Sequence, residues 1–140
     1  MSRRKRGSGL FWISAVIAGL ALASTGGRAA LTAVTSAGIP HGTLSCSQLE
    51  VLWDDAGGPS SAAFTGAEIA RAESAGQQYA TNYNTNGSVD YGYWQINTIN
   101  GGSPADYIPI VNAREAVKLY KEDGWHPWVT WQKGLEAGQC

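Results

Sequence analysis

The chain has 140 residues, enough for one modest domain once any export segment is subtracted. Beyond Arg28 it carries five basic and eleven acidic residues, which gives this part a net charge of −6. So acidic a domain lacks the basic face that a nucleic-acid backbone requires, and we expect no nucleic-acid partner. Six Trp and six Tyr suit a ligand bound by flat apolar faces, such as a sugar, although an aromatic-rich core would have the same composition.

Residues 1–30 have the pattern of an export segment. Four basic residues among Met1–Arg6 precede an apolar stretch from Leu10 to Ala23, which ends in small residues typical of a cleavage site. Because a membrane-spanning helix usually needs about 20 apolar residues, we predict a signal peptide, with an uncleaved membrane anchor as the alternative. Either segment would place the rest of the chain outside the cytoplasm, secreted or tethered to the membrane.

Residues 31–44 are rich in Gly, Ala, Ser and Thr, and we predict that they form a flexible tether ahead of a domain over residues 45–140. Cys46 and Cys140 lie near the two ends of this domain and can pair in an exported protein. The two cysteines and two histidines are too far apart in sequence to indicate a metal site, so we expect no metal and no cofactor.

Two helices are predicted at the start of the domain. Residues 46–56 have an amphipathic helical pattern that stops at Gly57. In the next helix, Thr65 and Glu68 have the spacing of an N-terminal capping box, and Gly76 is expected to end it. The apolar positions of the first helix are Leu49, Val51, Leu52 and Trp53.

Glu73 lies in the last turn of the second predicted helix, on the same face as Ile69 and Ala70. Burial and the negative end of the helix dipole both disfavour a carboxylate there, so both raise its pKa. A glutamate late in a helix is more often a solvated surface group, and a catalytic role therefore depends on what the rest of the chain places beside it.

A hairpin is predicted next. Asn86-Gly87 is favourable for a two-residue turn, because both central residues of that turn need a positive φ. The returning strand then carries Asp90. Neighbouring polar side chains are expected to donate hydrogen bonds that keep Asp90 ionised. These are Asn84, Asn86, Ser88 and Asn97.

Strand alternation over residues 92–97 would send Ile96 into the core and leave Gln95 and Asn97 facing a ligand. A third helix is predicted from Asn112 to Gly124, and a short fourth helix after Pro127. The apolar face of the third helix comprises Ala113, Ala116, Val117 and Tyr120. Trp94 and Trp125 either line a binding site or pack in the core, and the sequence favours neither.

The residues around Glu73 and Asp90 resemble the active-site segment of animal-type (c-type) lysozymes. The likeness includes Ala72-Glu73-Ser74, the interval of seventeen residues to Asp90, and the run 82–97. Downstream, residues 111–120 and the segment Trp128-Val-Thr-Trp131 are similar to a later helix and a Trp-Val-x-Trp segment of the same family. The resemblance implies an α+β fold of lysozyme type, with a mainly helical body, a small antiparallel hairpin lobe and a cleft between them.

The resemblance also implies a function. Glu73 would protonate the oxygen that joins N-acetylmuramic acid to N-acetylglucosamine in peptidoglycan, and Asp90 would stabilise or capture the oxocarbenium-like centre. Trp128 would pack against Glu73 and raise its pKa, and a bridge between Cys46 and Cys140 would tie the chain ends. The side chains expected to contact the glycan are Ser74, Asn84, Gln95, Asn97, Tyr120 and Trp128.

Two other functions remain open. Glu73-Ser74 and the Gly92-x-x-Gln95 segment also resemble lytic transglycosylases, which use one Glu and no aspartate, and Tyr120 resembles a site-lining position of that group. Asp90 favours hydrolysis, although it could instead hold the hairpin through an Asx turn. The alternative of another class is a non-catalytic glycan-binding module, against which the presence of Glu73 argues. In each case we expect a monomer that binds peptidoglycan strands.

Overall fold

The computed structural model describes residues 38–140. The predicted leader, residues 1–30, and residues 31–37 of the predicted tether lie outside the described residues. Within the described part, no helix has both the length and the apolar composition needed to cross a bilayer.

A mainly helical body and one small sheet make up the described chain, which confirms the α+β architecture. The helices are α1 (Cys46–Asp55), α2 (Ala63–Ser74), α3 (Pro109–Asp123) and α4 (Val129–Gln132). Short 3-10 helices span Ser60–Ala62, Thr98–Asn100 and Pro104–Tyr107. The antiparallel sheet has the order β1 (Thr81–Tyr83), β2 (Val89–Tyr91), β3 (Ile96–Asn97).

The core forms where α1 packs against α2 and α3, around the fully buried ring of Trp53. Gly66 of α2 lies against this ring, where an added Cβ would approach Trp53 to 3.0 Å, so the absence of a side chain permits close packing. Trp94 is also fully buried, and its indole donates to the carbonyl of Gly66 over 2.8 Å. Trp94 therefore belongs to the core, and Trp125 packs on the same cluster.

The ends of α2 differ from the sequence prediction. The helix begins at Ala63, directly after the 3-10 turn Ser60–Ala62, so Thr65 lies inside the helix and forms no capping box with Glu68. The preceding turn continues into the helix and removes the need for a side-chain cap. At the other end Ala75 takes the left-handed conformation, one residue before the predicted Gly76. Glu73 remains in the last turn.

The hairpin connection is longer than predicted. Residues 84–88 join β1 to β2, closed by a hydrogen bond of 2.9 Å from the amide of Asn84 to the carbonyl of Ser88. Of the two residues expected to have positive φ, Gly87 does and Asn86 does not. The side chain of Asn86 instead accepts from the amide of Ser88 over 3.0 Å, a local turn that competes with the two-residue form.

The folded domain begins earlier than the predicted boundary at residue 45. Leu44 is buried, and its amide donates to the carbonyl of Gly76 over 2.8 Å, while Thr43 pairs with Gln77. A disulfide bond joins Cys46, at the start of α1, to Cys140, with the Cα atoms 5.7 Å apart. Both contacts anchor the beginning of the domain to later parts of the chain.

Helix α3 begins at Pro109, three residues before the predicted start at Asn112. Proline suits the first turn because its missing N–H would have no partner there. Asn112 therefore lies inside the helix, fully buried, and accepts from the amide of Trp94 and donates to the carbonyl of Tyr91, each over 2.9 Å. These two bonds attach the chain between β2 and β3 to the helical body.

Candidate active site

A groove runs between the end of α2, the sheet and the start of α4. One cavity, beside α4, has a volume of about 560 Å³, and a second cavity of about 700 Å³ adjoins it beside β1. The residues that line both cavities are Glu73, Asn82, Asp90 and Gln95. The two carboxyl groups therefore lie where the two cavities meet.

Glu73 enters this groove from the last turn of α2, whose Ile69 and Ala70 are fully buried. Its Oε1 accepts a hydrogen bond of 2.7 Å from the hydroxyl of Thr130 in α4. Burial raises the pKa of the Glu73 carboxyl, the hydroxyl and backbone of Thr130 oppose that increase, and the negative charge of Asp90 adds to it. Glu73 is thus the group in the groove that is suited to hold a proton.

Asp90 has a different environment, because asparagine side chains surround it. Its Oδ2 accepts from the amide nitrogens of Asn82, over 3.0 Å, and Asn84, over 2.9 Å, and its Oδ1 accepts from that of Asn97. Asn82, Asp90 and Asn97 are direct partners in the register of the three strands, so they form one row on the groove face. The amide donors orient the Asp90 carboxylate and stabilise its negative charge.

The predicted donors to Asp90 are thus partly wrong. Asn84 and Asn97 do donate, but Ser88 and Asn86 act one step further away. The Ser88 hydroxyl accepts from the side-chain amides of Asn84 and Asn97 and donates to Asn86 Oδ1 over 2.8 Å. The reason is the five-residue connection, which turns Ser88 and Asn86 toward one another rather than toward the carboxylate.

Gln95 lines the groove, but not because of strand alternation. It precedes β3 with a positive φ of 47°, in a tight turn rather than a strand, and only Ile96 enters the core as predicted. Its Nε2 donates to the carbonyls of Ala80 and Gly92, over 3.1 and 2.8 Å. Among residues 38–140 its Oε1 has no hydrogen-bond partner, so this oxygen can accept from a ligand.

Trp128 forms part of the apolar wall opposite the sheet. It is almost fully buried, and its indole donates to the carbonyl of Trp94 over 2.9 Å. This bond fixes the ring at the border of the cavity beside α4. Leu119 and Val129 complete this wall. These apolar side chains and the amide groups around Asp90 give the groove two chemically distinct parts.

Tyr120 and Ser74 have surroundings that differ from those of the other residues predicted to contact the glycan. The ring of Tyr120 packs against Trp125, with the centroids 4.2 Å apart, and it lines neither cavity, because its face of α3 is covered by α1. The hydroxyl of Ser74 is buried, donates to the carbonyl of Ala70 over 2.8 Å and accepts from the amide of Gly76. Ser74 thus lines the cavity beside β1, while both hydrogen bonds of its hydroxyl belong to the end of the helix.

Sequence reasoning missed Thr130 and Asn82. Thr130 is 57 residues from Glu73, and only the packing of α4 on α2 brings them together. Asn82 could have been found by alternation from Asp90 had the length of the connection been known.

As for metals, within the described residues no cluster of three His, Cys, Asp or Glu side chains could hold an ion.

A helical body, a small antiparallel sheet and a groove with a carboxyl group on each side define a domain of the lysozyme class. A family model described as a lysozyme-like domain matches residues 50–130, more than half of the chain. The chain belongs to this family, which comprises glycosidases and lytic transglycosylases that act on peptidoglycan. Among curated proteins, none matches the sequence.

Proposed function

We propose that the protein is a muramidase, which hydrolyses the β-1,4 bond between N-acetylmuramic acid and N-acetylglucosamine in peptidoglycan. The observation that supports this most strongly is the pair of unlike carboxyl groups in one groove. Burial raises the pKa of Glu73, whereas three asparagine amides donate to Asp90. Glycoside hydrolysis needs such a pair, one group that gives a proton and one that carries a negative charge.

In the proposed first step, protonated Glu73 donates to the bridging oxygen as the bond to the anomeric carbon breaks. Positive charge develops at that carbon, and the Asp90 carboxylate stabilises it or forms a bond to it. The ionised Glu73 then takes a proton from water, which attacks the anomeric carbon and restores the acid. The balance of the cycle is one glycosidic bond and one water consumed for two new hydroxyl groups.

The asparagine row, Asn82 and Asn97 on the two sides of Asp90, has a defined part in this scheme. Because Asn82 and Asn97 lie on the strands either side of Asp90, they hold both carboxylate oxygens in place before the charge develops at the sugar. A preorganised carboxylate needs little rearrangement during the reaction, which is the main source of electrostatic stabilisation in enzymes. The free Oε1 of Gln95 is placed to accept from a sugar hydroxyl or acetamido N–H.

Two cavities meet at the carboxyl pair, which supports binding of several sugars and cleavage within a glycan strand rather than removal of its last sugar. The disulfide between Cys46 and Cys140 supports an oxidising compartment. We therefore propose that the domain works outside the cytoplasm, on the cell wall. Because the domain is acidic, hydrogen bonds and apolar contacts with the sugar would hold the strand rather than attraction to anionic wall groups.

A second candidate is lytic transglycosylation, in which the sugar's own hydroxyl replaces water and Asp90 is not needed. The location of Gln95, the last residue of the Gly-x-x-Gln segment, in the groove beside Glu73 favours it. The two reactions differ in their products, because hydrolysis leaves a reducing end and transglycosylation leaves a 1,6-anhydro ring.

The test is mass spectrometry of muropeptides released from purified peptidoglycan under oxidising conditions. The natural chain is compared with Glu73→Gln, Asp90→Asn and, as a matched control outside the groove, Glu122→Gln on α3. Reducing-end products that disappear in both groove variants, but not in the control, are expected. Anhydro products that survive Asp90→Asn would establish transglycosylation, and no release by the natural chain would favour a glycan-binding module.

A further inference from the structure

The Glu73 carboxyl group accepts a hydrogen bond from a side chain that does not line the groove. Thr130 is the second residue of α4, and its hydroxyl donates to Glu73 Oε1 over 2.7 Å. Thr130 lines neither of the two cavities that meet at Glu73. Among the described residues, the bond from Thr130 is the one side-chain hydrogen bond to the Glu73 carboxyl group. The two oxygens of this carboxyl group are therefore inequivalent before any ligand binds.

A hydroxyl that donates to one oxygen restricts where a carboxyl proton can lie. Of the two oxygens of a neutral carboxyl group the carbonyl oxygen is the stronger acceptor, so a hydroxyl that donates to Oε1 favours the form in which the proton is on Oε2. With the proton on Oε2, Oε1 is a carbonyl oxygen and accepts from Thr130 in its normal geometry. The contact thus favours one of the two positions for the proton.

We propose that Thr130 is a positioning residue for Glu73, whose hydroxyl holds Oε1 and directs the acid's proton to Oε2, the oxygen left for the substrate. The consequence for reaction rate rests on the proposed glycosidase function. The hydrogen bond and its effect on Glu73 do not, because they belong to the protein without ligand.

The charges around Glu73 support a second effect of the same bond. Burial and the charge of Asp90 on β2 raise the pKa of Glu73, and the hydroxyl and backbone of Thr130 lower it. Helix α4, Val129–Gln132, carries no ionisable side chain, and the charge that raises the pKa of Glu73 is that of Asp90 on β2. A hydrogen-bond donor stabilises the ionised carboxylate more than the neutral acid, so Thr130 limits how far burial raises the pKa.

The experiment compares Thr130→Val, which keeps the shape and removes the hydroxyl, with Thr130→Ser, which keeps the hydroxyl. Titration of the glutamate side-chain carboxyl carbons by NMR, with the Glu73 signal assigned by its loss in Glu73→Gln, reports the pKa without any substrate. We expect Thr130→Val to raise the pKa of Glu73 and Thr130→Ser to leave it near that of the natural chain. Thr130→Ala serves as the hydroxyl-free variant if valine does not fold.

Activity on peptidoglycan is measured across pH for the same variants. We expect Thr130→Val to lower kcat by roughly fivefold to tenfold, the loss of one hydrogen bond, and to move the alkaline limb of kcat/KM to higher pH. Thr130→Ser should restore both. An unchanged Glu73 titration in the hydroxyl-free variant, or equal defects in the valine and serine variants, would overturn the proposal. An inactive natural chain would instead contradict the proposed function, and the titration would still decide the role of Thr130.

Discussion

The two carboxyl groups of the groove reach it from two kinds of structure, and the difference explains their chemistry. Glu73 lies at the end of a packed helix, where Ile69 and Ala70 are fully buried and one hydroxyl donates to it. Asp90 lies on the middle strand of a small sheet, between Asn82 and Asn97 on the neighbouring strands. A helix end packed against other helices excludes water, whereas the exposed face of a short sheet presents polar side chains in a row.

The different surroundings of the two carboxyl groups come from where the chain places them and not from the choice of Glu or Asp. Burial acts on Glu73 because α2 must pack into the core to fold. Hydrogen bonding acts on Asp90 because strand register brings amides to both of its oxygens. Each of the following changes alters one of the two carboxyl groups, or its surroundings, and leaves the other unchanged.

The largest effect is expected from Glu73→Gln, which removes the proton donor without changing its shape. Loss of a general acid typically costs between 10² and 10⁴ in rate, so we expect kcat on peptidoglycan to fall by about 10³-fold. The measurement is the rate of soluble muropeptide release at the optimal pH. Retention of more than a tenth of the activity would show that Glu73 is not the acid.

Asp90→Asn should also lower kcat strongly, although less than Glu73→Gln, because it removes the negative charge while the acid remains. We expect kcat to fall by about 10²-fold, of the order reported for loss of one electrostatic group in an active site. The new amide also places N–H groups against the donors from Asn82, Asn84 and Asn97, so KM is expected to rise. Unchanged hydrolysis would reduce Asp90 to a structural residue of the hairpin.

The pH dependence of activity separates the two groups further. Burial raises the pKa of Glu73, and the acid must be protonated to act, so activity should be present below that pKa and fall about tenfold for each pH unit above it. The check is a pH profile of kcat/KM between mild acid and alkaline conditions. An alkaline limb at the ordinary pKa of a glutamate would contradict the burial of Glu73.

A finer change on the Asp90 side is Asn82→Ala, which removes one of its three amide donors. Asn82 is exposed, so the fold should tolerate the change, and we expect kcat to fall roughly fivefold. Thr85→Ala, in the same groove but with no hydrogen bond to Asp90, is the matched control. Equal activity in the two variants would mean that the asparagine row does not hold the carboxylate.

The smallest effect concerns stability. Because the folded pKa of Glu73 lies above its unfolded value, the folded protein binds more protons, and the contribution of Glu73 to stability is full below the unfolded pKa and is lost as pH rises. We therefore expect Glu73→Gln to raise Tm at pH 7 and to leave it unchanged at about pH 4, measured by differential scanning calorimetry. Asp106, whose pKa burial also raises, is present in both proteins and cancels in the comparison.

The fold class was implied by the resemblance to animal-type lysozymes, whereas local patterns were enough to put Glu73 in the last turn of a helix and Asp90 on a returning strand. Both predictions depend on periodicity over a few residues, which the tertiary structure preserves. The capping box at Thr65 and the two-residue turn at Asn86 failed because a preceding 3-10 turn and a side-chain hydrogen bond offered competing local structures.

Contacts that depend on packing between distant segments could not be predicted from local sequence patterns. Tyr120 has the position of a site-lining residue, yet α1 covers it with Trp53, whose ring centroid is 5.4 Å away. Thr130 looks like an ordinary residue of a short helix until α4 packs against α2. Side chains that tune a buried acid come from wherever the fold closes over it, and a single sequence holds no local signal for that.

The most direct test of the central claim, that a proton-bearing Glu73 and a charged Asp90 cleave the glycan together with water, is digestion of peptidoglycan in ¹⁸O-labelled water with mass spectrometry of the products. We expect ¹⁸O at newly formed reducing ends, and loss of this label in both Glu73→Gln and Asp90→Asn. Unlabelled 1,6-anhydro products, formed equally well by Asp90→Asn, would contradict the claim.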